Sequence, residues 1–94
     1  MPDKAISASR TVTICNVRGL HARAAAKFVK LATTFDAEVE VSKNGQTVSG
    51  ESIMGLMMLA AGLGCSIRID ASGTDAGAAL AALADLVEAK FHED

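Results

Sequence analysis

The chain has 94 residues, a length typical of one domain with one hydrophobic core. Half of the residues are hydrophobic and 21% are charged, proportions that exclude a disordered chain and favour a globular fold. Aromatic residues make up 3%, with no Trp or Tyr, which argues against nucleic-acid binding by base stacking. We therefore expect a single domain over residues 1–94 that binds no nucleic acid.

The net charge of -2 hides an uneven distribution along the chain. Residues 1–35 carry six Lys or Arg against one Asp, a net charge of +5, whereas residues 36–94 carry three against ten Asp or Glu, a net charge of -7. The basic part contains His21. This distribution favours an anionic ligand or an acidic protein partner for that part of the chain.

Export and membrane insertion are not indicated by the sequence. The opening stretch MPDKAISASR has no long apolar segment, and no run of about 18 apolar residues occurs in the chain. We expect a cytoplasmic protein that does not bind a membrane. Cys15 and Cys65 lie far apart among apolar neighbours, which predicts buried thiols and not a redox or metal pair.

Taken in chain order, the first half of the sequence predicts a strand, a helix and a hairpin. Residues 11–17 alternate as a half-buried strand, and from Ala22 to about Thr34 the apolar positions recur at helical spacing. The segment AEVEVSKNGQTVSG alternates on both sides of Asn44-Gly45, the residue pair that favours a tight hairpin turn.

The second half predicts a helix, a strand and a helix. Ser52 is a candidate N-cap for a short helix that ends at Gly62 or Gly64, and SIRIDA alternates as a strand. Apolar residues from Leu80 to Phe91 mark a last helix that Thr74 or Asp75 caps, followed by a fraying tail. The order βαββαβα predicts an α+β open-faced sandwich: a four-stranded antiparallel sheet with three helices on one face.

The strongest candidate site is Arg18-Gly19-Leu20-His21-Ala22-Arg23, where the first strand gives way to the first helix. A helix N-terminus has unpaired N–H groups and about half a positive charge, and it normally attracts Ser, Asp or Glu. Here it carries His21 and Arg23, so an anion such as phosphate would be favoured there. From the spacing alone, a plain histidine cap beside a solvated arginine is an equally good interpretation.

Self-contained catalysis is not indicated. The chain lacks HExxH, GxSxG and phosphate-loop motifs, and no ligand spacing supports a metal site. A histidine without a partner acid or nucleophile is more typical of a group carrier than of an enzyme.

The run GLHARAAAKFVK, preceded by Asn16 and followed by KNGQTVSGESIMGLMMLA, resembles the histidine-containing phosphocarrier protein (HPr) family of the bacterial phosphotransferase system over about residues 8–92. The resemblance implies a phosphoryl carrier without a cofactor. It implies that the phosphoenolpyruvate-dependent first enzyme (EI) phosphorylates His21 on Nδ1, that Arg23 stabilises the phosphoryl group, and that an EIIA-type protein accepts it. Further phosphate contacts are expected at Arg18, Gly19, Ala22 and Ala24.

Ala24 departs from the family pattern, which usually has proline directly after the arginine. Alanine is a good helix former and restores one backbone N–H. We expect an altered phosphate affinity or transfer rate, with the chemistry kept.

Ser52 is a candidate regulatory site, because the resembling family is phosphorylated by a serine kinase at this position. A simple N-cap is the compatible alternative. The apolar residues after it cannot all face one core from a short helix, so either some dock partners or neighbouring segments bury the helix. The expected docking residues are Leu20, Lys27, Ile53, Met54, Leu56 and Met57. A second function from another class is a regulatory binding module that uses this surface and is controlled at Ser52.

Overall fold

A computed structural model describes residues 8–93 of the protein. Its sheet has four antiparallel strands in the spatial order β1-β4-β2-β3. β4 is therefore central and pairs with both β1 and β2. The strands are β1 (Ala8–Thr13), β2 (Glu38–Lys43), β3 (Gln46–Ser49) and β4 (Ser66–Ser72).

Three helices cover one face of this sheet, which confirms the predicted α+β open-faced sandwich and its element order. The helices are α1 (Ala22–Ala32), α2 (Ile53–Met58) and α3 (Ala76–Glu88), and a 3₁₀ turn, Lys90–His92, follows α3. The core lies between the layers. It includes inward residues of the strands, such as Val41 and Ile69, and the apolar stripes of α1 and α3, such as Phe28 and Leu83.

Several predicted boundaries are wrong by a few residues, each for a local reason. β1 begins at Ala8 and ends at Thr13, earlier than predicted. α1 ends at Ala32, because the hydroxyls of Thr33 and Thr34 donate to the carbonyls of Lys30 and Leu31 and close the last turn. α2 ends at Met58, well before the predicted glycines, because Ala60 takes a left-handed conformation (φ 52°).

The predicted turn and cap chemistry holds at two places. Asn44 (φ 50°) and Gly45 (φ 84°) both lie in the left-handed region, as a two-residue hairpin turn between β2 and β3 requires. Ser52 is the N-cap of α2, and its Oγ accepts a hydrogen bond from the Gly55 N–H at 2.9 Å. At α3 the cap residue is Asp75, but its carboxylate accepts from the Asp36 N–H instead of capping the helix.

The end of the described chain folds back onto α1, so the predicted fraying tail is wrong. Lys90, Phe91 and His92 all have left-handed backbone angles, with φ between 56° and 59°, and Phe91 therefore lies outside α3. The Phe91 side chain is fully buried, and its carbonyl accepts a hydrogen bond from Lys27 Nζ at 2.6 Å. These contacts fix the turn against α1.

Two further expectations can be compared with the structure. Both cysteines are free, but they are only partly buried, and Cys15 Sγ donates to the carbonyl of Val87 at 3.3 Å. Within residues 8–93, no helix is long and apolar enough to span a bilayer.

Gly19 joins the β1–α1 loop to the α2–β4 loop and so positions the start of α1. Its φ is +66°, and the next residue, Leu20, donates its N–H to the Ala61 carbonyl at 2.9 Å. A Cβ on Gly19 would lie 2.4 Å from that same carbonyl oxygen. Only glycine allows the two backbones to approach this closely.

We predict that Gly19→Ala destabilises the fold more than Gly64→Ala does. Both glycines have positive φ, but a Cβ on Gly64 meets nothing within 4 Å. Gly64→Ala should therefore lower the free energy of unfolding by about 1 kcal/mol, from backbone strain alone. Gly19→Ala should lose about 1 to 3 kcal/mol more because of the backbone clash. Urea unfolding of both variants measures the difference, and equal losses would contradict this prediction.

Candidate functional site

His21 is the N-cap residue of α1. Its backbone is extended (φ -74°, ψ 178°), its carbonyl accepts the first helical hydrogen bond from the Ala25 N–H at 2.8 Å, and its side chain makes no capping hydrogen bond. The backbone N–H groups of Ala22, Arg23 and Ala24, which lie between His21 and Ala25, have no acceptor within the helix. The first turn also contains no acidic residue. The helix start is therefore an electropositive surface with free donors.

The imidazole of His21 is held by a carboxylate from the far end of the chain. His21 Nε2 lies 2.7 Å from Glu93 Oε1, and the two side chains are only 22% and 18% exposed. The other oxygen, Glu93 Oε2, accepts a hydrogen bond from Asn16 Nδ2 at 3.0 Å. Among residues 8–93 no hydrogen bond involves His21 Nδ1. The ring is thus anchored through one nitrogen and open at the other.

Asn16 ties this contact to the loop before α1. The side chain is buried, and its Nδ2 donates to the Gly19 carbonyl at 2.9 Å as well as to Glu93. The Gly19 N–H in turn donates to the Asn16 carbonyl at 3.2 Å. Loop, helix start and C-terminal turn therefore form one hydrogen-bonded unit around His21.

Two arginines add positive charge near His21, and both are exposed. Arg18 borders the same shallow depression as His21, and its charge contributes to the stabilisation of the Glu93 carboxylate. Arg23 lies in the first turn of α1. Its guanidinium takes part in no ion pair or hydrogen bond with the other residues of the 8–93 region, so it is available to an anion.

The remaining residues predicted to contact phosphate lie at or just before the helix start, and only their backbone N–H groups can donate to an anion. Gly19 is buried in the loop, and Ala22 is exposed in the first turn. Ala24 has a fully buried side chain, so only its N–H can serve an anion. Their contact with phosphate stays a prediction.

The predicted docking residues divide into exposed and buried sets. Ile53, Met54 and Met57 are 40%, 73% and 43% exposed, and Met57 borders the same depression as His21. Leu56 is fully buried in the core and presents no side-chain surface to a partner. Leu20 is also a core residue, but it borders the same depression as His21, so its docking role stays a prediction. The Lys27 ammonium is engaged by the Phe91 carbonyl.

Glu93 is the residue that sequence reasoning missed. It lies 72 residues after His21, so no local spacing connects the two. The first turn of α1 contains no acidic residue, but the turn after α3 brings a carboxylate to the ring through space. The available signals were the apolar Phe91, which holds the turn, and the acid two residues after it.

The comparison with protein-family models gives a match over residues 8–89 to the model described as the PTS HPr component phosphorylation site. The chain belongs to the HPr family. It is thus a phosphocarrier-type protein of the phosphotransferase system, as the sequence motifs predicted.

Named relatives and solved structures agree with this membership. Phosphocarrier protein NPr of Shewanella violacea is 50% identical over 84 residues, 89% of this chain and 92% of that protein. Phosphocarrier protein HPr of Neisseria meningitidis is 48% identical over the same share of this chain and 94% of its own. The structure of HPr-C-His from Thermoanaerobacter tengcongensis superposes with a TM-score of 0.88 at 41% identity, covering 93% of this chain and 98% of that one.

The Glu93 carboxylate should titrate below the ordinary value for glutamate. The hydrogen bond from Asn16, followed by the one with His21, lowers the pKa of Glu93 below 4.5, against a smaller opposing effect of desolvation. Because the pKa is lowered on folding, the contacts of Glu93 are fully formed above pH 4.5 and are lost as the pH falls through the lowered value.

NMR titration of the Glu93 carboxyl carbon measures this directly, and the ring signals of Phe91 report whether the turn loosens with it. A midpoint at or above 4.5 would contradict the prediction.

Proposed function

We propose that this chain accepts a phosphoryl group on Nδ1 of His21 from an EI-type phosphotransferase and passes it to an EIIA-type acceptor in the cytoplasm. The observation that supports this most directly is the position of the ring. His21 stands at a helix start whose N–H groups are unpaired, with one ring nitrogen held by Glu93 and the other open. No cofactor is needed, and the protein acts as a carrier and not as an enzyme.

The positive charge around His21 favours the phosphorylated form of the ring over the unphosphorylated form. A phosphoryl group adds about two negative charges and three acceptor oxygens. The unpaired amides of α1, the positive end of its dipole and the Arg23 guanidinium all favour such a group. Arg18 adds charge at the rim of the depression that holds His21. Within residues 8–93, neither Arg18 nor Arg23 takes part in a salt bridge that phosphate binding would have to break.

Access by two different partners is the second requirement for a carrier. Met57 of α2 borders the depression at His21, and Ile53, Met54 and Val17 (82% exposed) present further apolar side chains to solvent. Methionine adapts its shape to different surfaces, which suits a protein that docks both a donor and an acceptor. The basic residues nearby favour acidic partner surfaces.

Phosphorylation should be confined to His21. Incubation with phosphoenolpyruvate and an EI-type enzyme should add one acid-labile phosphoryl group, measured as intact mass. His21→Ala should abolish the label. His92→Ala is the matched control, because His92 is exposed and its side chain makes no hydrogen bond or salt bridge within residues 8–93. This variant should keep full labelling. A label that survives in His21→Ala, or an unlabelled wild-type chain, would contradict the proposal.

Ala24 bears on the strength of phosphate binding. Its N–H, which the family's usual proline lacks, lies in the first turn of α1 beside those of Ala22 and Arg23. We infer that this extra donor strengthens the hold on the phosphoryl group without changing the chemistry. Removal of the donor by proline would therefore weaken that hold.

A regulatory binding module is the second candidate function, and the position of Ser52 favours it. Ser52 caps the helix that carries the exposed Ile53, Met54 and Met57. A phosphate on Oγ would be compatible with the helix N-terminus, yet its charge would lie at the edge of this apolar surface. Phosphorylation there by a serine kinase of the HPr type would reduce partner docking.

The kinase reaction separates a regulatory role from a plain cap. Incubation with an HPr-type serine kinase and ATP should give an acid-stable phosphate that is lost in Ser52→Ala and kept in Ser49→Ala, an exposed serine three residues earlier. The Ser52→Ala variant should also lose about 1 kcal/mol of stability, because its cap is gone. An unchanged acid-stable label in that variant would remove Ser52 as the site.

The branch of the system that this carrier serves depends on its acceptor. Relatives named HPr and NPr match it at similar identities, 46% and 50%. Transfer from phosphorylated chain to individual purified EIIA-type proteins would assign it to sugar uptake or to a regulatory branch.

A further inference from the structure

We propose that Glu93 is a positioning residue that keeps the hydrogen of the neutral His21 ring on Nε2 and so leaves the lone pair on Nδ1. The inference rests on the proposed phosphorylation of His21 and adds to it the group that prepares the ring. It assigns a role to the C-terminal turn, which otherwise only covers the core.

Both oxygens of Glu93 face hydrogen-bond donors. Asn16 Nδ2 donates to Oε2 at 3.0 Å and to the Gly19 carbonyl at 2.9 Å. Because both neighbours of Nδ2 are acceptors, the orientation of the Asn16 amide is determined by its surroundings. An ionised carboxylate accepts hydrogen bonds only, so the contact of Oε1 with His21 Nε2 at 2.7 Å requires a hydrogen on Nε2. In the neutral ring Nδ1 then carries no hydrogen.

The turn that carries Glu93 is held well enough to orient the ring. Phe91 is fully buried two residues before it, and Lys27 Nζ binds the Phe91 carbonyl at 2.6 Å. Lys27 and His21 belong to the same helix and its cap, so the carboxylate and the ring share one support. Among residues 8–93, the positive charge of Arg18 also stabilises the ionised form of the Glu93 carboxylate.

The transfer step balances with this arrangement. The Nδ1 lone pair forms the new N–P bond while the bond between phosphorus and the donor atom breaks, and its electron pair leaves with the phosphoryl donor protein. The ring becomes a cation that keeps the hydrogen on Nε2. The Glu93 carboxylate faces this charge directly. The reverse sequence of bonds passes the phosphoryl group to the acceptor.

Glutamine at position 93 gives a test that separates positioning from simple packing. Glutamine has nearly the same shape but one acceptor oxygen and one donor nitrogen. If its oxygen accepts from Asn16, its NH₂ group faces His21 Nε2 and favours the tautomer with hydrogen on Nδ1. Alanine at position 93 removes the bias without reversing it. A packing role predicts the opposite order, with glutamine close to wild type and alanine worse.

The experiment compares the full chain with Glu93→Gln and Glu93→Ala, each labelled with ¹⁵N-histidine. Two-dimensional NMR at a pH where the ring is neutral assigns the tautomer from the shifts of the two nitrogens. Wild type should show hydrogen on Nε2, and both variants should lose this bias. The initial rate of phosphorylation by an EI-type enzyme should fall at least about tenfold in Glu93→Gln, toward the roughly 10⁴-fold that a wrong histidine tautomer costs a serine protease. It should fall less in Glu93→Ala.

Glu88→Gln is the matched control, because Glu88 is an exposed glutamate that pairs with Arg10 at 3.4 Å, away from the ring. This variant should keep the wild-type tautomer and rate. Wild-type ¹⁵N shifts in Glu93→Gln, or a slower rate in Glu93→Ala than in Glu93→Gln, would overturn the proposal. If the wild-type chain takes no phosphoryl group, the proposed function fails, while the tautomer measurement still decides the role of Glu93. The ring signals of Phe91 verify that the turn stays in place in each variant.

Discussion

The pairing of β4 with both β1 and β2 is the constraint on which the site depends. β4 comes late in the chain yet lies at the centre of the sheet. Its pairing with β1 continues past the strands, where Ile14 donates to Cys65 and Gly64 donates to Ile14, both at 2.8 Å. The loop before α1 therefore lies against the loop before β4. This juxtaposition, completed at Gly19, sets where α1 begins and where His21 stands.

The start of α1 combines features that are unfavourable in isolation. A helix N-terminus without a side-chain cap leaves donors unpaired, and Arg23 adds positive charge to the positive end of the dipole. The Glu93 carboxylate, which contacts the His21 ring, offsets part of this positive charge. Within residues 8–93 it leaves the first amides of α1 and the Arg23 guanidinium unpaired. The start of α1 is therefore less stable than a helix start with a side-chain cap would be. This arrangement suits the proposed binding and release of a phosphoryl group, because an anion would pair with the donors that lack a cap.

The turn after α3 has a strained backbone that tertiary contacts hold in place. Three consecutive non-glycine residues, Lys90, Phe91 and His92, adopt left-handed backbone angles, which are unfavourable for L-amino acids. Burial of Phe91 and the Lys27 hydrogen bond hold the turn in this conformation. The strained turn is thus located next to His21, where it brings a carboxylate to the ring. The exposed Met57 of α2 borders the same depression as His21, so the proposed chemistry and the proposed docking would share one surface.

The sequence by itself determined the features that depend on local interactions. Strand alternation, helical spacing, the Asn44-Gly45 turn, the Ser52 cap and the position of His21 at a helix start all follow from residues close together in the chain, and the structure confirms them. Two short sequence motifs indicated the family, and the family-model match over residues 8–89 confirms it. Only the tertiary structure decided which apolar residues of α2 are buried, because this depends on how the helix lies against its neighbours. It also decided that Asn16 and Glu93 meet at His21, since contacts across 72 residues arise from strand pairing and packing and leave no pattern in the local sequence.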